Sequence, residues 1–442
     1  MSADSHRPAP ASTRLASIAR LDSLAPRGMK LGLASIDALC QRLGRPEGRV
    51  PSALIGGTNG KGSTAATLSA IARSAGVRAG LYTSPHLIDV TERIRIEEED
   101  ISPDALDACL ERVFEAAGAE PEIPLTYFEA MTAAAFLAFS EQRLELAILE
   151  VGLGGRLDAT NVAPARLSVV TSIGFDHTEE LGESLPQIAS EKAGIFRAGR
   201  PALGRAEAAE AREALAKAAA AAGAVWHDAG EELRVHVEAV SPEGTRFHLS
   251  TPARQEALAT PLPGAHQAWN AALAVRAAEL LADEVPRLGN APVSAGLARV
   301  RWPGRLERIR VHGRIVLLDG CHNPEGAAAL ARFLVEANLA GRCVLVFGAM
   351  ADKDVEGIAR VLLPSAARVL LAPAAAPRAA GGEDLARRVA RFAPGAVRTA
   401  GVADALERAL RLPGSDPIIV AGSLYLVGEA RAWLLSGGRA NV

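Results

Sequence analysis

Residues 52–76, SALIGGTNGKGSTAATLSAIARSAG, restrict the fold more than any other part of the chain. An apolar run breaks into glycines with one lysine among them. A helical pattern follows, with Leu68, Ile71 and Ala75 at helical spacing and Gly76 as its stop. A strand feeding a glycine turn that opens a helix is the phosphate-holding unit of open α/β sheets, because backbone N–H groups point inward at a helix N-terminus. Lys61 supplies the charge. The pattern departs from the usual P-loop in two places: the loop is short, and Gly62 takes the Ser/Thr slot after the lysine, so a metal-binding hydroxyl falls to Ser63. A glycine turn without phosphate is the alternative, and it would not call for strand, lysine and helix together.

The alternation continues. Candidate strands lie at 52–57, 78–83, 144–151, 166–173 and 200–204, with helical patterns at 63–75, 102–117, 127–142 and 185–193. The alanine-rich stretch 208–224 predicts an exposed helix closed by Gly223. A second series follows RWPGR (301–305): a hairpin over 309–320, a helix from Asn323, and strands at 343–348, 367–373, 396–401 and 417–423. The expected fold class is α/β: an N-terminal P-loop ATPase domain with a mostly parallel sheet, plus a smaller C-terminal Rossmann-like α/β domain. The expected divisions are a disordered tail over 1–14, an ATP-binding domain over 15–302 and a C-terminal domain over 303–442.

Composition narrows the function. Of 442 residues, 49% are apolar and 22% charged, as in ordinary soluble enzymes, and the net charge of −3 provides no basic field for nucleic acid. The one basic run, 299–314, reads first as a solvated hairpin. Cys40, Cys109, Cys321 and Cys343 form no CxxC pair, which argues against a zinc knuckle or disulfide framework and fits a reducing cytoplasm. AMTAAAFLAF (130–139) is too short to span a membrane, and MSADSHRPAPASTR has no signal-peptide h-region. No nucleic-acid or membrane partner is expected.

A nucleotide-bound Mg²⁺ wants a carboxylate at the end of a neighbouring buried strand. Glu150 ends the apolar run LELAILE, where a charge would otherwise be avoided. Asp176 and His177 follow the next strand, beyond the edge where open sheets bind ligands. No NKxD-type guanine reader is present, so ATP is preferred to GTP.

The chain resembles the folylpolyglutamate synthase/dihydrofolate synthase family of the Mur ligase superfamily from about residue 28 to 435. The resemblance rests on GTNGKGS (57–63), TSPHL with TERI (83–94), TYFEAMTAAAF (126–136), EVGLGGRLDATN (150–161), TSIGFDHTEELG (171–182) and IASEKAGIF (188–196). It continues in GAHQAWNAALA (264–274), WPGRLE (302–307), LDGCHNPEG (318–326), FGAMADKD (347–354) and GSLYLVGEA (422–430). It implies an ATP-dependent ligase that adds L-glutamate to dihydropteroate or to the glutamate tail of reduced folates through an acyl phosphate. A bifunctional enzyme is favoured; a strict polyglutamate synthase, a cell-wall Mur ligase and a non-catalytic nucleotide-binding regulator are the alternatives. In this reading Asn59, Gly60, Lys61, Gly62, Ser63 and Thr64 hold the ATP phosphates, Asn270 contacts adenine, and Arg305 and Asp319 reach the nucleotide from the second domain. Ser63, Glu150 and His177 ligate Mg²⁺. The pterin lies against Met29, Lys30, Leu31, Leu87, Thr126, Tyr127, Phe128, Glu129, Leu157, Asp158 and Ala159. His322 serves the glutamate end, and Lys61, His177, Lys192, Asp319 and His322 are the catalytic set. A monomer is expected, its second domain closing over the nucleotide to keep water from the acyl phosphate.

Plainer readings compete at several positions. His86 reads as a turn residue, Asp158 as an Asx cap, Trp302 as hinge packing and 352–354 (DKD) as a solvated loop. Leu185, Ile188, Ala189 and Lys192 share one helix face, so Lys192 is expected to be buried. It either pairs with Glu191 or Asp176, or stays neutral and captures CO₂ as a carbamate. The resemblance implies the carbamate, beside a second Mg²⁺ near His177.

Overall fold

The computed structural model describes residues 15–25 and 32–437. The expected tail over 1–14 and the candidate pterin contacts Met29, Lys30 and Leu31 lie outside the described residues. The strands of the first sheet are β1 (Ser52–Gly56), β2 (Ala79–Tyr82), β3 (Ile94–Ile96), β4 (Glu99–Asp100), β5 (Leu146–Glu150), β6 (Leu167–Val170), β7 (Pro201–Gly204) and β8 (Val225–Asp228). Their spatial order is β4-β3-β2-β5-β1-β6-β7-β8. The sheet is parallel from β2 to β8, with β3 and β4 antiparallel at one edge. Every residue of β1, β5 and β6 is buried, as strands covered on both faces require. Because β1 lies between β5 and β6, the carboxyl ends of all three open onto one crevice where the connections diverge, the usual ligand position in such sheets.

Five helices bear on that crevice: α1 (Lys61–Ser74), α2 (Tyr127–Glu141), α3 (Leu185–Ala193), α4 (Ala265–Leu280) and α5 (Pro324–Glu336). From Gly62 to Ala72 every residue of α1 is buried, so it is a central rather than a surface helix. Its Ala65, Ala72 and Ile71 share a core with Ala268, Ala271 and Val275 of α4, and the small side chains let the two helices lie close together. Residues 209–222 form the alanine-rich helix, closed by Gly223 in the left-handed region, but it is not simply exposed: Ala211, Leu215 and Ala219 are buried in the core.

An antiparallel sheet that the sequence reading did not include comprises β9 (Arg234–Ser241), β10 (Gly244–Ser250) and β11 (Gln255–Thr260), ordered β11-β10-β9. Strand β10 alternates cleanly, Phe247 and Leu249 inward and Arg246 and His248 outward, and its inner face joins the α1–α4 core. The second domain's sheet contains β12 (Arg305–Val311), β13 (Arg314–Asp319), β14 (Val344–Phe347), β15 (Arg368–Leu371), β16 (Val397–Arg398) and β17 (Ile418–Ala421). Its order is β12-β13-β17-β14-β15-β16, with only β12 antiparallel. The basic run is not uniformly solvated: Arg308 and Arg310 are exposed, but Arg314 is buried and donates to the carbonyls of Ala409, Leu412 and Asp416.

Phe247→Ala should lower unfolding free energy by about 3–5 kcal/mol in denaturant titration, the cost of emptying a core site. A loss below about 1 kcal/mol would mean that the three-stranded sheet is an appendage rather than part of the nucleotide domain's core.

Candidate active site

Strand β1 ends at Gly56, and Gly57 turns the chain with φ 139°. A Cβ at Gly57 would lie 2.1 Å from Thr171 Oγ1, so only glycine fits. Gly62 has a different reason: the indole of Trp302 occupies the space, and a Cβ there would lie 2.7 Å from the ring. The missing Ser/Thr of the usual P-loop thus has a packing cause in the interdomain connection. The loop is bolted to the segment after β6. Thr58 N donates to Ser172 O at 2.9 Å, and the Asn59 carbonyl accepts from Thr171 Oγ1 at 2.7 Å and Ser172 Oγ at 3.0 Å.

Two ammonium groups converge on this loop. Lys61 Nζ donates to Gly57 O at 3.1 Å and Thr58 O at 3.2 Å, and Lys192 Nζ donates to the same Gly57 O at 3.0 Å. Lys192 lies on the buried face of α3, 4% exposed. Neither acid considered for it from sequence pairs with it: Glu191 holds Arg156 and Asp176 holds Lys353. Among the described residues Lys192 has no ion pair. Burial, with the Lys61 charge adding to it, lowers the Lys192 pKa to about 7. Burial also lowers that of Lys61, against the opposing pull of Glu150 and Asp176.

Glu150 ends β5, 5% exposed, and its Oε2 accepts from Ser84 N at 3.0 Å. Burial pushes its pKa up while Lys61 restrains it. In the first turn of α1, Ser63 is buried, and the buried Thr64 hydroxyl has no partner among the described residues. The Glu150 carboxylate at the strand end and the Ser63 hydroxyl in the first helical turn are oxygen donors of the kind that a hard divalent cation arriving with a nucleotide takes. Among the described residues no three His, Cys, Asp or Glu side chains are grouped to hold a metal, so phosphate oxygens would have to complete the shell.

The second domain grips the loop from the other side. Asn59 Oδ1 accepts from Asn323 Nδ2 at 3.1 Å, and Asn59 Nδ2 donates to Glu325 Oε2 at 3.2 Å. Asp176, beyond β6, accepts from Lys353 Nζ at 2.9 Å and Asn323 Nδ2 at 3.2 Å, with His322 Nε2 at 3.7 Å. Burial alone would raise the Asp176 pKa, but His322 and Lys353 outweigh it and hold the carboxyl well below the usual range. His177, left-handed at φ 52°, has its pKa lowered by burial, with Lys353 contributing against Asp176, which favours the neutral imidazole that metals require. The charge of Arg305 acts on both Lys61 and Glu150. Asp319 is occupied by the backbone around it: Oδ2 accepts from Leu306 N of the neighbouring strand β12 at 3.1 Å, and Oδ1 from Cys321 N of its own turn at 3.0 Å. His322 Nδ1 lies 3.0 Å from Gly320 O. Asn270 sits against Gly60, whose Cβ would lie 2.4 Å from its Oδ1, and donates to Gln267 Oε1 at 2.9 Å.

The candidate pterin contacts divide into two kinds. Tyr127 lies under the Arg93 guanidinium, and Phe128 stands 6.0 Å from the Tyr82 ring and covers Gly152. Others are engaged locally. Thr126 and Glu129 form a reciprocal capping box that starts α2. Asp158 accepts from the amides of Gly152, Leu153 and Thr160, each at 3.0 Å, and from Thr160 Oγ1 at 2.6 Å, so the Asx reading describes its geometry. Leu157 and Ala159 belong to the same turn, half-buried and buried. Leu87 packs at the domain seam against Gly304 and Val427. His86 accepts from Arg93 Nε at 2.9 Å. Sequence reasoning missed Lys353, Asn323 and Glu325. Asn323 is an N-cap by position, and Lys353 stood in a DKD run that reads as a loop.

Comparison with known proteins gives the family. The Mur ligase middle domain matches residues 55–278, and the Mur ligase glutamate ligase domain matches residues 304–424. The chain is 34% identical over 413 residues to the dihydrofolate synthase/folylpolyglutamate synthase of Bacillus subtilis, covering 91% of this chain and 95% of that one. The chain belongs to the dihydrofolate synthase/folylpolyglutamate synthase family of Mur ligases. Escherichia coli FolC in complex with DHPP and ADP has the same fold, with TM-score 0.84 and 32% identity over 97% of this chain and 99% of that one. A bifunctional folylpolyglutamate synthase/dihydrofolate synthase with Mn, AMPPNP and L-glutamate bound gives TM-score 0.80 and 30% identity over 94% and 97%.

In this member of the family Lys192 makes stability depend on pH. The unfolded amine keeps its proton to its ordinary value of 10.5, the folded one only to about 7. Between those values the unfolded state binds more protons, so the Lys192 contribution to stability rises with pH; below about 7 the buried charge costs its full amount. In CO₂-free buffer the stability difference between wild type and Lys192→Met should shift in favour of wild type as pH rises through that window, and parallel profiles would contradict the assignment. Asp158→Ala should cost about 2–4 kcal/mol, because four donors lose their acceptor. An unchanged melting temperature would show that its role is not in the turn.

Proposed function

We propose that this chain catalyses ATP-dependent addition of L-glutamate to dihydropteroate and to the γ-carboxylate of reduced folates. The observation that carries the reading is the convergence of Lys61 and Lys192 on Gly57 O, with Glu150 buried at the neighbouring strand end and a second domain holding Asn59 and Asp176. The carboxylate of the acceptor attacks the γ-phosphorus of ATP, the β–γ bond breaks, and ADP leaves an acyl phosphate. The amine of L-glutamate then attacks the acyl carbon, losing a proton as phosphate departs. Lys61 neutralises charge on the transferring group, and the loop amides fix it in line. Bound Mg²⁺, held by Ser63, Glu150 and His177, would supply further charge neutralisation at the phosphates.

Asn270 is assigned to the adenine end, and Arg305 with Asp319 to the nucleotide from the second domain. His322 is assigned to the glutamate end. The pterin is assigned to the face carrying Tyr127 and Phe128, with Leu87, Thr126, Glu129 and Leu157 to Ala159 shaping its walls. A depressed pKa and a missing acid partner make Lys192 suited to carbamylation: the neutral amine attacks CO₂, a proton leaves to solvent, and the buried group becomes an anion. That anion would stand beside a second Mg²⁺ near His177. A monomer is the proposed state. The four free, buried cysteines support a reducing cytoplasm, and no helix among the described residues is long and apolar enough to cross a membrane.

ADP release should require ATP, L-glutamate and either dihydropteroate or tetrahydrofolate; release independent of every pterin would overturn the substrate assignment. Glu150→Gln should retain the fold and lose most turnover, at least about tenfold at limiting Mg²⁺, and near-normal turnover would remove Glu150 from the metal site. Lys192→Ala should recover activity with added short carboxylates if the carbamate acts. A fully active wild type with an unmodified Lys192 in bicarbonate would exclude it.

A further inference from the structure

A second charged cavity lies between the outer face of α1, the β3–β4 hairpin and the interdomain connection, with a volume of about 370 Å³. Four arginines, Arg73, Arg95, Arg299 and Arg301, line it against only two acids, Glu98 and Glu99. The positive charge is incompletely matched. Arg73 pairs with Glu98 at 3.3 Å and Arg95 with Asp100 at 2.8 Å, whereas the exposed Arg299 and Arg301 make no hydrogen bond or ion pair among the described residues. The hairpin turn holds Glu97 and Glu98 at φ 52° and 74°, a backbone region that non-glycine residues rarely adopt; Glu98 lines the cavity, while Glu97 pairs with Arg78 outside it. Guanidinium groups crowded in one concavity repel one another unless an anion joins them.

The wall also touches the phosphate loop. The Arg95 guanidinium lies 5.2 Å over the Trp302 ring, and that ring fills the space beside Gly62 at the start of α1. Trp302 and Arg301 are adjacent in the connection between the domains. An anion that draws Arg95 inward would change the support of Trp302, and with it the packing on Gly62.

We propose that this cavity binds a small polyanion of the oligocarboxylate or oligophosphate class, and that its occupancy alters nucleotide affinity through Arg95 and Trp302. Guanidinium forks suit both chemistries, since each presents paired oxygens to paired N–H groups. Binding at the cavity is independent of the ligase reading; the effect on nucleotide affinity rests on the assignment of ATP to the Lys61 loop.

The test is calorimetric titration of the full chain, saturated with ADP so that the phosphate loop is filled, with tripolyphosphate in one arm and γ-linked triglutamate in the other. The arm that gives heat identifies the source of the anion. Arg299→Ala combined with Arg301→Ala should weaken binding by at least about tenfold without changing the melting temperature, because both side chains are exposed. Trp302→Phe should retain anion binding while diminishing its effect on ADP affinity. Equal affinity in the double variant, or no binding of either probe to wild type, would overturn the proposal. Failure of ADP itself to bind would instead count against the ligase reading and leave the anion titration to be read on the unliganded chain.

Discussion

Lys61, half-buried, and Lys192, buried, donate to one carbonyl oxygen, that of Gly57. That arrangement is costly in the absence of anions, since burial and mutual repulsion both disfavour two ammonium charges. Much of the surrounding structure follows from containing it. The Gly57 turn is locked by Thr171, the loop carbonyls and amides are tied to Ser172, and the charges of Glu150, at the end of β5, and Asp176, in the segment beyond β6, act on Lys61. A bound triphosphate would relieve the same electrostatic cost, so that relief would contribute to nucleotide binding.

The two domains meet at the same loop. Asn59 is held by Asn323 and Glu325, and Asp176 by Lys353, so the second domain contacts the phosphate loop and the strand end beside it rather than a distant surface. Trp302 makes the connection between the domains part of the loop's packing. An acyl phosphate at this loop would need protection from water, and the interdomain contacts lie where that protection would act.

The α/β class and most strands of both sheets were legible in the sequence because buried parallel strands leave continuous apolar runs, as at 146–150 and 418–421. The three-stranded sheet was missed although strand 244–250 carries the period-2 alternation that marks a half-buried strand. Lys61, Glu150 and Lys192 could be singled out from their flanking patterns, the last through its helical spacing alone. What sits opposite them could not. The absence of an acid at Lys192, the indole over Gly62 and the reach of Lys353 to Asp176 are contacts between segments far apart in the chain, and no local periodicity encodes them. Asp158 illustrates the converse, a motif residue whose four hydrogen bonds are nearly all within its own turn.

The central claim is that the loop transfers a phosphoryl group to a carboxylate. It is tested most directly by running the reaction with acceptor carboxylate labelled with ¹⁸O and analysing the released inorganic phosphate by mass spectrometry. An acyl phosphate intermediate carries one carboxylate oxygen on phosphorus, so the product phosphate should contain one ¹⁸O atom for each amide formed. Unlabelled phosphate released in step with amide formation would contradict the account.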